Sequence, residues 1–334
     1  MTLHPRKLAL ILFALIGIPL LCTGLWLQNF VSTAVTPTEP QTIEIKAGSS
    51  FSRIAAQLDQ AGVISDSRRF TLLARWRKAT GQIHTGEYLF KASAKPDDVL
   101  ARLVAGDIRK FQVTIPEGFN LQEIATRLEK TDIGSADTFL ALCSDAAFLT
   151  ELGIEADSLE GYLFPETYTY TSSTTPNQLL RAMVSQLHTQ LTPELLERAK
   201  SLNLNRHQLL TLASVIQKEA GNVMEMPLIS AVFHNRLKRG IPLQADPTVI
   251  YGITDFDGNL TRKHLQTPTP YNTYKKRGLP IGPIASPGRF ALHATVNPAV
   301  SKDLYFVARG DGTHEFNATL KGHNRAVRRY QLRR

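Results

Sequence analysis

The fold class is indicated by a stretch that occurs twice, as IEIKAGSSFSRIAAQL at residues 43–58 and as VTIPEGFNLQEIATRL at residues 113–128, displaced by 70 residues. Each copy begins with alternating apolar residues, turns at Gly48 or Gly118, and continues with the apolar spacing of an amphipathic helix. Strand-like residues 87–90 and helix-like residues 97–104 extend the pattern. Short strands that alternate with helices predict an α+β protein.

The N-terminal region reads as a membrane anchor. Residues 8–27 contain no charged side chain, and about 20 apolar residues at 1.5 Å each match a hydrocarbon core of ~30 Å. Arg6 and Lys7 precede the run, and no Lys or Arg follows until Lys46, so we expect a cytoplasmic N-terminus and an extracytoplasmic remainder. Cleavage as a signal peptide is the alternative. The predicted division is an anchor at residues 1–30, a Thr/Pro-rich linker at 31–42, a small unit at 43–109 and a larger one at 110–334.

Composition narrows the classes of function. The chain has 334 residues, 43% hydrophobic content and a formal charge of +9, which by itself would admit a nucleic-acid-binding protein. We predict no nucleic-acid partner, because the basic residues form no single motif and the folded part is expected outside the cytoplasm. Cys22 and Cys143 are not expected to pair. We predict no metal and no cofactor, since no zinc-spaced cluster or phosphate-binding glycine loop is present.

Glu219 is the candidate catalytic residue. It lies about 20° from Leu212 on a helical wheel, so it shares the apolar face of the helix that Gly221 is expected to stop. Partial burial and a position at the helix carboxyl end both favour the protonated carboxyl group. A carboxyl group that holds its proton near neutral pH can serve as a general acid. The alternative is a frayed helix end that leaves Glu219 in water.

Residues 158–168 concentrate glycine, proline, aromatic residues and carboxylates. Tyr168, with its aromatic neighbours, offers a face on which a sugar can stack, and Glu160 and Glu166 could accept hydrogen bonds from hydroxyl groups. The alternative is a buried turn whose aromatic rings belong to the core.

Further candidate substrate contacts follow Glu219. Asn235 shares the apolar face of a helix that we predict for residues 226–240, where its amide needs hydrogen-bond partners, either to brace the fold or to orient a site. Asp246 precedes Pro247, which disfavours a helix at that point. Gln244, Asp246 and Thr248 alternate with apolar residues, so in an extended segment they would form one polar face. A solvated edge strand is the alternative.

Residues 266–288 predict a long ordered loop. Their many Pro and Gly residues oppose regular structure, and ordered loops of this length are usually functional. Tyr271, Asn272 and Tyr274 supply the rings and the amide that a sugar subsite uses. Ser286 and Pro287 are expected to cap a following helix, and a hairpin is predicted around Gly310.

Taken together, these motifs resemble the YceG-like family of endolytic murein transglycosylases, and the strand, turn and helix that begin at Ile43 resemble a LysM module. The family resemblance spans nearly the whole chain and is carried by residues 159–161 (LEG), 164–168 (FPETY), 214–219 (SVIQKE), 233–236 (FHNR), 243–248 (LQADPT), 269–274 (TPYNTY), 278–288, 304–308 (LYFVA) and 323–324 (HN).

The resemblance implies a transmembrane helix, a small LysM-like α+β subdomain and a larger α+β catalytic domain. It implies an inner-membrane enzyme that cleaves peptidoglycan glycan strands between N-acetylmuramic acid and N-acetylglucosamine, leaving a 1,6-anhydro end, with Glu219 as the catalytic glutamate. Penicillin-binding-protein synthases are candidate partners. Family members often carry a second Glu two positions earlier, where this chain has Gln217. A LysM-like unit implies glycan binding, and a structural spacer is the alternative.

Two other functions remain open from the sequence. A muramidase would hydrolyse the same bond with Glu160, Glu166 or Asp246 as its second carboxylate. A non-catalytic murein-binding scaffold would bind glycan without turnover.

Overall fold

The computed structural model describes residues 13–332, and the chain forms two compact units. One unit comprises Met1–Phe111 and Thr169–Ser173, and the other comprises Gln112–Tyr168 and Thr174–Arg334. Each unit is mixed α+β with small two-stranded sheets, as the repeated strand–turn–helix pattern predicts.

The first unit surrounds an antiparallel strand pair. A π-helical turn, Phe13–Gly17, precedes its elements, which are α1 (Ile18–Ser32), β1 (Gln41–Ile45), α2 (Phe51–Gln60), α3 (Ser67–Trp76), β2 (Gly86–Phe90) and α4 (Pro96–Ala105). Gln41 lies opposite Phe90 in the β1–β2 pair. Its core contains Leu58, Phe70 and Tyr88, none of which is exposed. The predicted strand at 87–90 and helix at 97–104 are confirmed.

The predicted membrane segment, residues 8–27, lies partly outside the described residues. Among residues 13–332, no helix combines the length and apolar character needed to cross a membrane.

The second unit holds most of the helices. Its elements, with the strand by which the chain enters it, are β3 (Phe111–Thr114), α5 (Leu121–Leu128), α6 (Ala136–Cys143), α7 (Ala146–Glu151), β4 (Thr167–Tyr170), α8 (Pro176–Gln190), α9 (Pro193–Ser201), α10 (Arg206–Glu219), α11 (Met226–Lys238), α12 (Asp246–Tyr251), α13 (Arg262–Gln266), α14 (Arg289–Val296), β5 (Tyr305–Ala308), β6 (His314–Asn317) and α15 (Leu320–Tyr330). β3 pairs with β4, and β5 pairs with β6. The predicted hairpin around Gly310 is therefore confirmed.

The repeated segment has the same local structure in both copies. Gly48 and Gly118 both adopt positive φ, at 76° and 78°, a conformation that glycine reaches without the penalty of a Cβ atom. Ser50 caps α2 and Asn120 caps α5, each by accepting a hydrogen bond from a backbone amide of the first turn. The turn and the cap thus fix where each helix begins.

The extended segment predicted for residues 243–251 is wrong, because α12 begins at Asp246. The Asp246–Pro247 pair looked like a helix-breaking signal. Proline is nevertheless favourable in a first helical turn, where its missing N–H would have no partner, and an aspartate there favours the helix dipole.

The cap predicted at Ser286 is also wrong, since α14 begins after Gly288, which makes no side-chain cap. The Ser286 hydroxyl group is buried without a hydrogen-bond partner among the described residues.

Candidate active site

Glu219 is the last residue of α10, as predicted. Asn205 starts the helix with a capping box, and the apolar face from Leu209 to Ile216 is buried. Ala220 leaves the helix with φ −78° and ψ 115°, so the chain turns sharply after Glu219. A Cβ atom on the next residue, Gly221, would lie 3.1 Å from the Gly312 carbonyl oxygen. The β5–β6 hairpin therefore packs closely against the chain that follows Glu219.

Glu219 opens into a cavity of about 260 Å³. One part of the lining is charged or polar, and the other is aromatic or apolar. The lining residues are Glu219, Arg236, Leu243, Gln244, Asp246, Tyr274, Tyr305, Phe306, Leu320 and His323. They come from α10, α11, the start of α12, the 266–288 loop, the hairpin and α15, so the cavity assembles residues more than 100 positions apart.

Electrostatics keep Glu219 protonated. Burial is the main cause that raises its pKa from 4.5 to about 8, the Asp246 charge raises it further, and Arg236 acts in the opposite direction. Among residues 13–332, no hydrogen-bond donor to the Glu219 carboxyl group favours its ionised form. At pH 7 a carboxyl group with this pKa is protonated in roughly ten molecules for each ionised one.

Arg236 is held rigidly beside this cavity. Its Nε donates to the Leu304 carbonyl at 2.6 Å, and one terminal nitrogen donates to the Leu243 carbonyl at 2.7 Å and to the Gln244 side chain at 3.3 Å. These contacts tie α11 to the hairpin strand β5 and to the segment that leads into α12. Arg236 therefore both braces the walls of the cavity and places a fixed positive charge near Glu219.

Asp246 offers a second carboxylate in the cavity. The Tyr274 hydroxyl group donates to its Oδ1 at 2.6 Å, while the residue as a whole remains exposed. Burial, followed by the Asp246 contact, raises the pKa of Tyr274, so the phenol keeps its proton and stays a donor. Gln244, also exposed, has φ +51°, a left-handed conformation that costs a residue with a Cβ about 1 kcal/mol or more.

An aromatic layer forms the opposite wall. The Arg236 guanidinium carbon lies 5.1 Å from the centroid of Tyr305, whose ring stacks on His323 at 5.3 Å. Burial, and then the Arg236 charge, lower the pKa of His323, so its imidazole is neutral at pH 7. With Phe306 and Leu320 it gives the cavity a face that suits the apolar parts of a sugar.

The structure places seven of the sequence-predicted residues away from the cavity lining, and four of these seven make hydrogen bonds that hold the fold together. Thr248 is fully buried and shares a hydrogen bond with Thr273. The Asn272 side-chain amide donates to the backbone carbonyls of His264, Leu265 and Thr267, at the end of α13 and just after it. The Asn235 amide donates to the Ser301 and Asp303 carbonyls. The Tyr168 hydroxyl group donates to the Phe164 carbonyl. These side chains brace the fold, which was the alternative reading for Asn235 and for the aromatic turn.

Glu166 is exposed and accepts a hydrogen bond from the adjacent Thr167 amide, and Tyr271 stacks edge-on with Tyr251 at 4.7 Å. Neither lines the cavity around Glu219.

Glu160 lies in a different place again. It is 4% exposed, accepts hydrogen bonds from the Leu121 amide and the Tyr251 hydroxyl group, and borders a separate cavity of about 200 Å³. Burial raises its pKa to about 7. The next residue, Gly161, has φ +75°, and a Cβ there would lie 2.3 Å from Pro283. This motif therefore secures the 278–288 loop against the body of the unit.

The same loop is held by α10. The Ser214 hydroxyl group accepts a hydrogen bond from the Ile284 amide at 3.0 Å, and the Gln217 side chain accepts one from the Gly288 amide at 3.0 Å. Gln217 thus serves as a neutral brace two residues before Glu219.

Tyr274, predicted with Tyr271 and Asn272 as part of a sugar subsite, lines the cavity. Arg236, Tyr305 and His323 also line it but were not among the predicted site residues. A signal existed for Arg236, which follows Val232 by four residues on the buried face of α11, so the reasoning that singled out Glu219 also applies to it. The other side chains reach the cavity through tertiary packing, which no local pattern reveals.

Comparison with known proteins places this arrangement in a family. A sequence profile of the YceG-like family matches residues 43–329. The chain belongs to the YceG-like family. It is 34% identical over 304 residues to the endolytic murein transglycosylase of Bacillus subtilis, a match that covers 86% of this chain and 84% of that protein.

A second relative of the same name, from Streptococcus pneumoniae, is 31% identical over 298 residues; the match covers 80% of this chain but 54% of that longer protein. The crystal structure of a YceG-like protein from Listeria monocytogenes superposes with a TM-score of 0.61 at 30% identity, covering 86% of this chain and 98% of that one. The family predicted from the sequence is confirmed.

Proposed function

We propose that this chain is an endolytic murein transglycosylase that cleaves the β-1,4 bond between N-acetylmuramic acid and N-acetylglucosamine within glycan strands. The observation that carries the proposal is Glu219, a carboxyl group with a pKa of about 8 in a small cavity that also holds Asp246 and Arg236. The names of the YceG-like relatives support the same reaction class.

In the first step Glu219 acts as the general acid. Its proton passes to the glycosidic oxygen as the bond from that oxygen to the anomeric carbon breaks, which frees the N-acetylglucosamine hydroxyl group. The raised pKa keeps the proton available at neutral pH. Positive charge then develops at the anomeric carbon.

In the second step the same residue acts as the base. Ionised Glu219 takes the proton of the carbon-6 hydroxyl group, whose oxygen bonds to the anomeric carbon and closes the 1,6-anhydro ring. The nucleophile is already part of the sugar, so neither an activated water nor a second catalytic carboxylate is required. A carboxylate with a pKa of about 8 is a stronger base than an ordinary glutamate, and Glu219 ends the cycle protonated.

Asp246 supports both steps by charge. Held by Tyr274 and exposed to solvent, its carboxyl group is placed to stabilise the positive charge that develops at the anomeric carbon. Gln244 and the aromatic wall of Tyr305, Phe306 and His323 would position the sugar.

The wider setting belongs to the same proposal. The uncharged run at residues 8–27, after Arg6 and Lys7, supports a single-pass anchor in the inner membrane with the catalytic domain outside the cytoplasm. The strand–turn–helix at Ile43 supports a LysM-like role in holding glycan. Cleavage near the membrane would end the elongation of nascent strands, and penicillin-binding-protein synthases are the partners we propose.

The proposal is tested by Glu219→Gln on purified murein. The amide keeps the size of the side chain but cannot transfer the proton, so we expect release of glycan fragments to fall by at least ~10³-fold, since both steps use this group. The matched control is Glu129→Gln, because Glu129 is an exposed glutamate at the carboxyl end of α5 and should be silent. Near wild-type release by Glu219→Gln would show that another residue is the acid.

A muramidase is the second candidate, and the presence of Asp246 in the cavity is what favours it. Hydrolysis would add one water to each cleaved bond, whereas the anhydro product contains none. Mass spectrometry of the released fragments separates the two reactions.

A further inference from the structure

The first unit carries an exposed apolar surface that the glycosidase chemistry does not use. In α3 the side chains of Phe70, Leu73 and Ala74 are fully buried, while Leu72 and Trp76 are 41% and 67% exposed. Leu72 and Trp76 are four residues apart and so share one face of the helix. An exposed tryptophan beside an exposed leucine indicates a surface that meets an apolar partner.

This face borders a cleft. The cleft has a volume of about 860 Å³, and its apolar lining comes from Leu27 and Val31 of α1 together with Leu72 and Trp76 of α3. That volume falls within the ~300–1,000 Å³ of ordinary ligand sites. On the N-terminal side the exposed apolar surface continues along α1, where Leu20, Leu21 and Leu25 are all more than half exposed.

Positive charge surrounds the apolar surface. Arg68 and Arg75 are exposed on the same side of α3, and Lys78 is exposed just after the helix. The cleft itself contains Arg77, Lys95, Asp97 and Asp98. Arg77 is neutralised by Asp97 at 2.7 Å, so within the cleft the acids balance the bases, and the net positive charge lies on the outer rim.

A tryptophan at the edge of an apolar face, flanked by basic residues, is the arrangement that suits the boundary between acyl chains and headgroups. Trp26 of α1 packs against the first turn of α3, since the Arg69 guanidinium carbon is 4.1 Å from its ring centroid. Arginine–aromatic packing and an apolar cleft are each compatible with either a lipid or a protein as the binding partner. The continuity with an uncharged helix face, together with the basic rim, favours lipid.

We propose that α3 and the cleft beside α1 form a binding surface for anionic phospholipid, with acyl chains against Leu72 and Trp76 and headgroup phosphates against Arg68 and Arg75. The surface would hold the first unit against the bilayer. This surface does not involve Glu219, so the lipid-binding proposal and the proposed reaction can be tested separately.

The chain provides its own reporter, because it has only two tryptophans, Trp26 and Trp76. The variant Trp26→Phe leaves Trp76 as the sole tryptophan of the full chain. Reconstituted into phosphatidylglycerol vesicles, Trp76 should show a blue-shifted emission and should lose at least half of its intensity when the lipid acyl chains are brominated. In the complementary variant, Trp76→Phe, Trp26 reports independently that the protein is associated with the vesicles.

Charge is tested by Arg68→Ser combined with Arg75→Ser in the Trp26→Phe background. Each lost basic residue should weaken surface contact about fivefold, as expected for a cation near anionic lipid, so quenching of Trp76 should fall sharply. The matched control replaces Lys275 and Lys276, exposed lysines of the second unit, and should leave quenching unchanged. High salt should mimic the arginine variant.

Clear results would overturn the proposal. An unshifted and unquenched Trp76, in vesicles where Trp26 is quenched, would mean that α3 faces water. A blue shift without quenching by brominated lipid would mean that a protein segment or a second copy covers the cleft. Equal quenching in neutral phosphatidylcholine would remove the assignment to anionic headgroups.

Discussion

Replacing Asp246 by Asn tests how the cavity keeps Glu219 protonated. The asparagine Oδ1 can still accept the Tyr274 hydroxyl hydrogen bond seen at 2.6 Å, so the change removes charge with little change of shape. Because the Asp246 charge raises the pKa of Glu219, its removal should lower that pKa. The alkaline limb of the pH–activity profile, where Glu219 loses its proton, should then move to lower pH.

The size of this effect follows from the geometry. Both carboxyl groups line one small cavity, and we take their separation as roughly 8 Å. With an effective dielectric of roughly 40, between the values for a protein surface and for water, their repulsion is about 1 kcal/mol, or a little under one pKa unit. Loss of charge stabilisation at the anomeric carbon should in addition lower kcat by roughly 10- to 100-fold.

The assay is kcat/KM for release of soluble glycan fragments from murein between pH 5 and pH 10. Asp137→Asn is the control, since Asp137 is an exposed aspartate in the first turn of α6, remote in sequence from every cavity residue. If Asp246→Asn is active and its alkaline limb coincides with that of the wild type, the electrostatic coupling between Asp246 and Glu219 is refuted.

The remaining predictions concern stability and the cavity walls. Glu219 has a folded-state pKa above its unfolded value, so its ionisation costs stability as pH rises from about 4.5 to about 8. Glu219→Gln should therefore raise Tm at pH 8 more than at pH 5, by an amount equivalent to about 2 kcal/mol in this half-buried site. Equal Tm differences at both pH values would contradict the raised pKa. Gly161→Ala should destabilise the fold by about 3 kcal/mol or more, because the new Cβ would clash with Pro283 and the residue would keep a strained positive φ. The control Gly240→Ala, with positive φ but open space around the new Cβ, should cost only about 1 kcal/mol. Equal chemical-denaturation midpoints for the two variants would refute the steric argument. Arg236→Met should cost about 3 kcal/mol and most of the activity, because several backbone carbonyls lose their donor; an active variant of wild-type stability would show that Arg236 does not brace the cavity.

Local patterns predicted the helices and turns well where one signal dominated. The helix-like residues 97–104 predicted α4, and the glycines of the repeat predicted both strand-to-helix turns. Glu219 was found because a carboxyl group on an apolar helical face is a conflict that packing has to resolve. Such a conflict involves only residues of one helix, so it can be recognised from the sequence alone.

Predictions from the sequence failed where one sequence signal is compatible with two structures, or where the contacting residues are distant in sequence. Asp246–Pro247 can end one helix or begin another, and only the packing of α12 decides between them. Alternation placed Thr248 beside Gln244 on a polar face, but the helix buries Thr248 against Thr273. The stacking of Tyr305 on His323 depends on how the hairpin and α15 dock, which the local sequence does not encode.

The central claim is that Glu219 closes an anhydro ring without water. It is tested most directly by digesting murein with the wild-type enzyme in water labelled with heavy oxygen, with Glu219→Gln in parallel, and weighing the fragments. We expect wild-type fragments that end in 1,6-anhydro-N-acetylmuramic acid, carry no label and are one water lighter than hydrolysed fragments. The variant should release almost none. Labelled reducing ends would identify a hydrolase, and unlabelled anhydro fragments from Glu219→Gln at the wild-type rate would remove Glu219 from the mechanism.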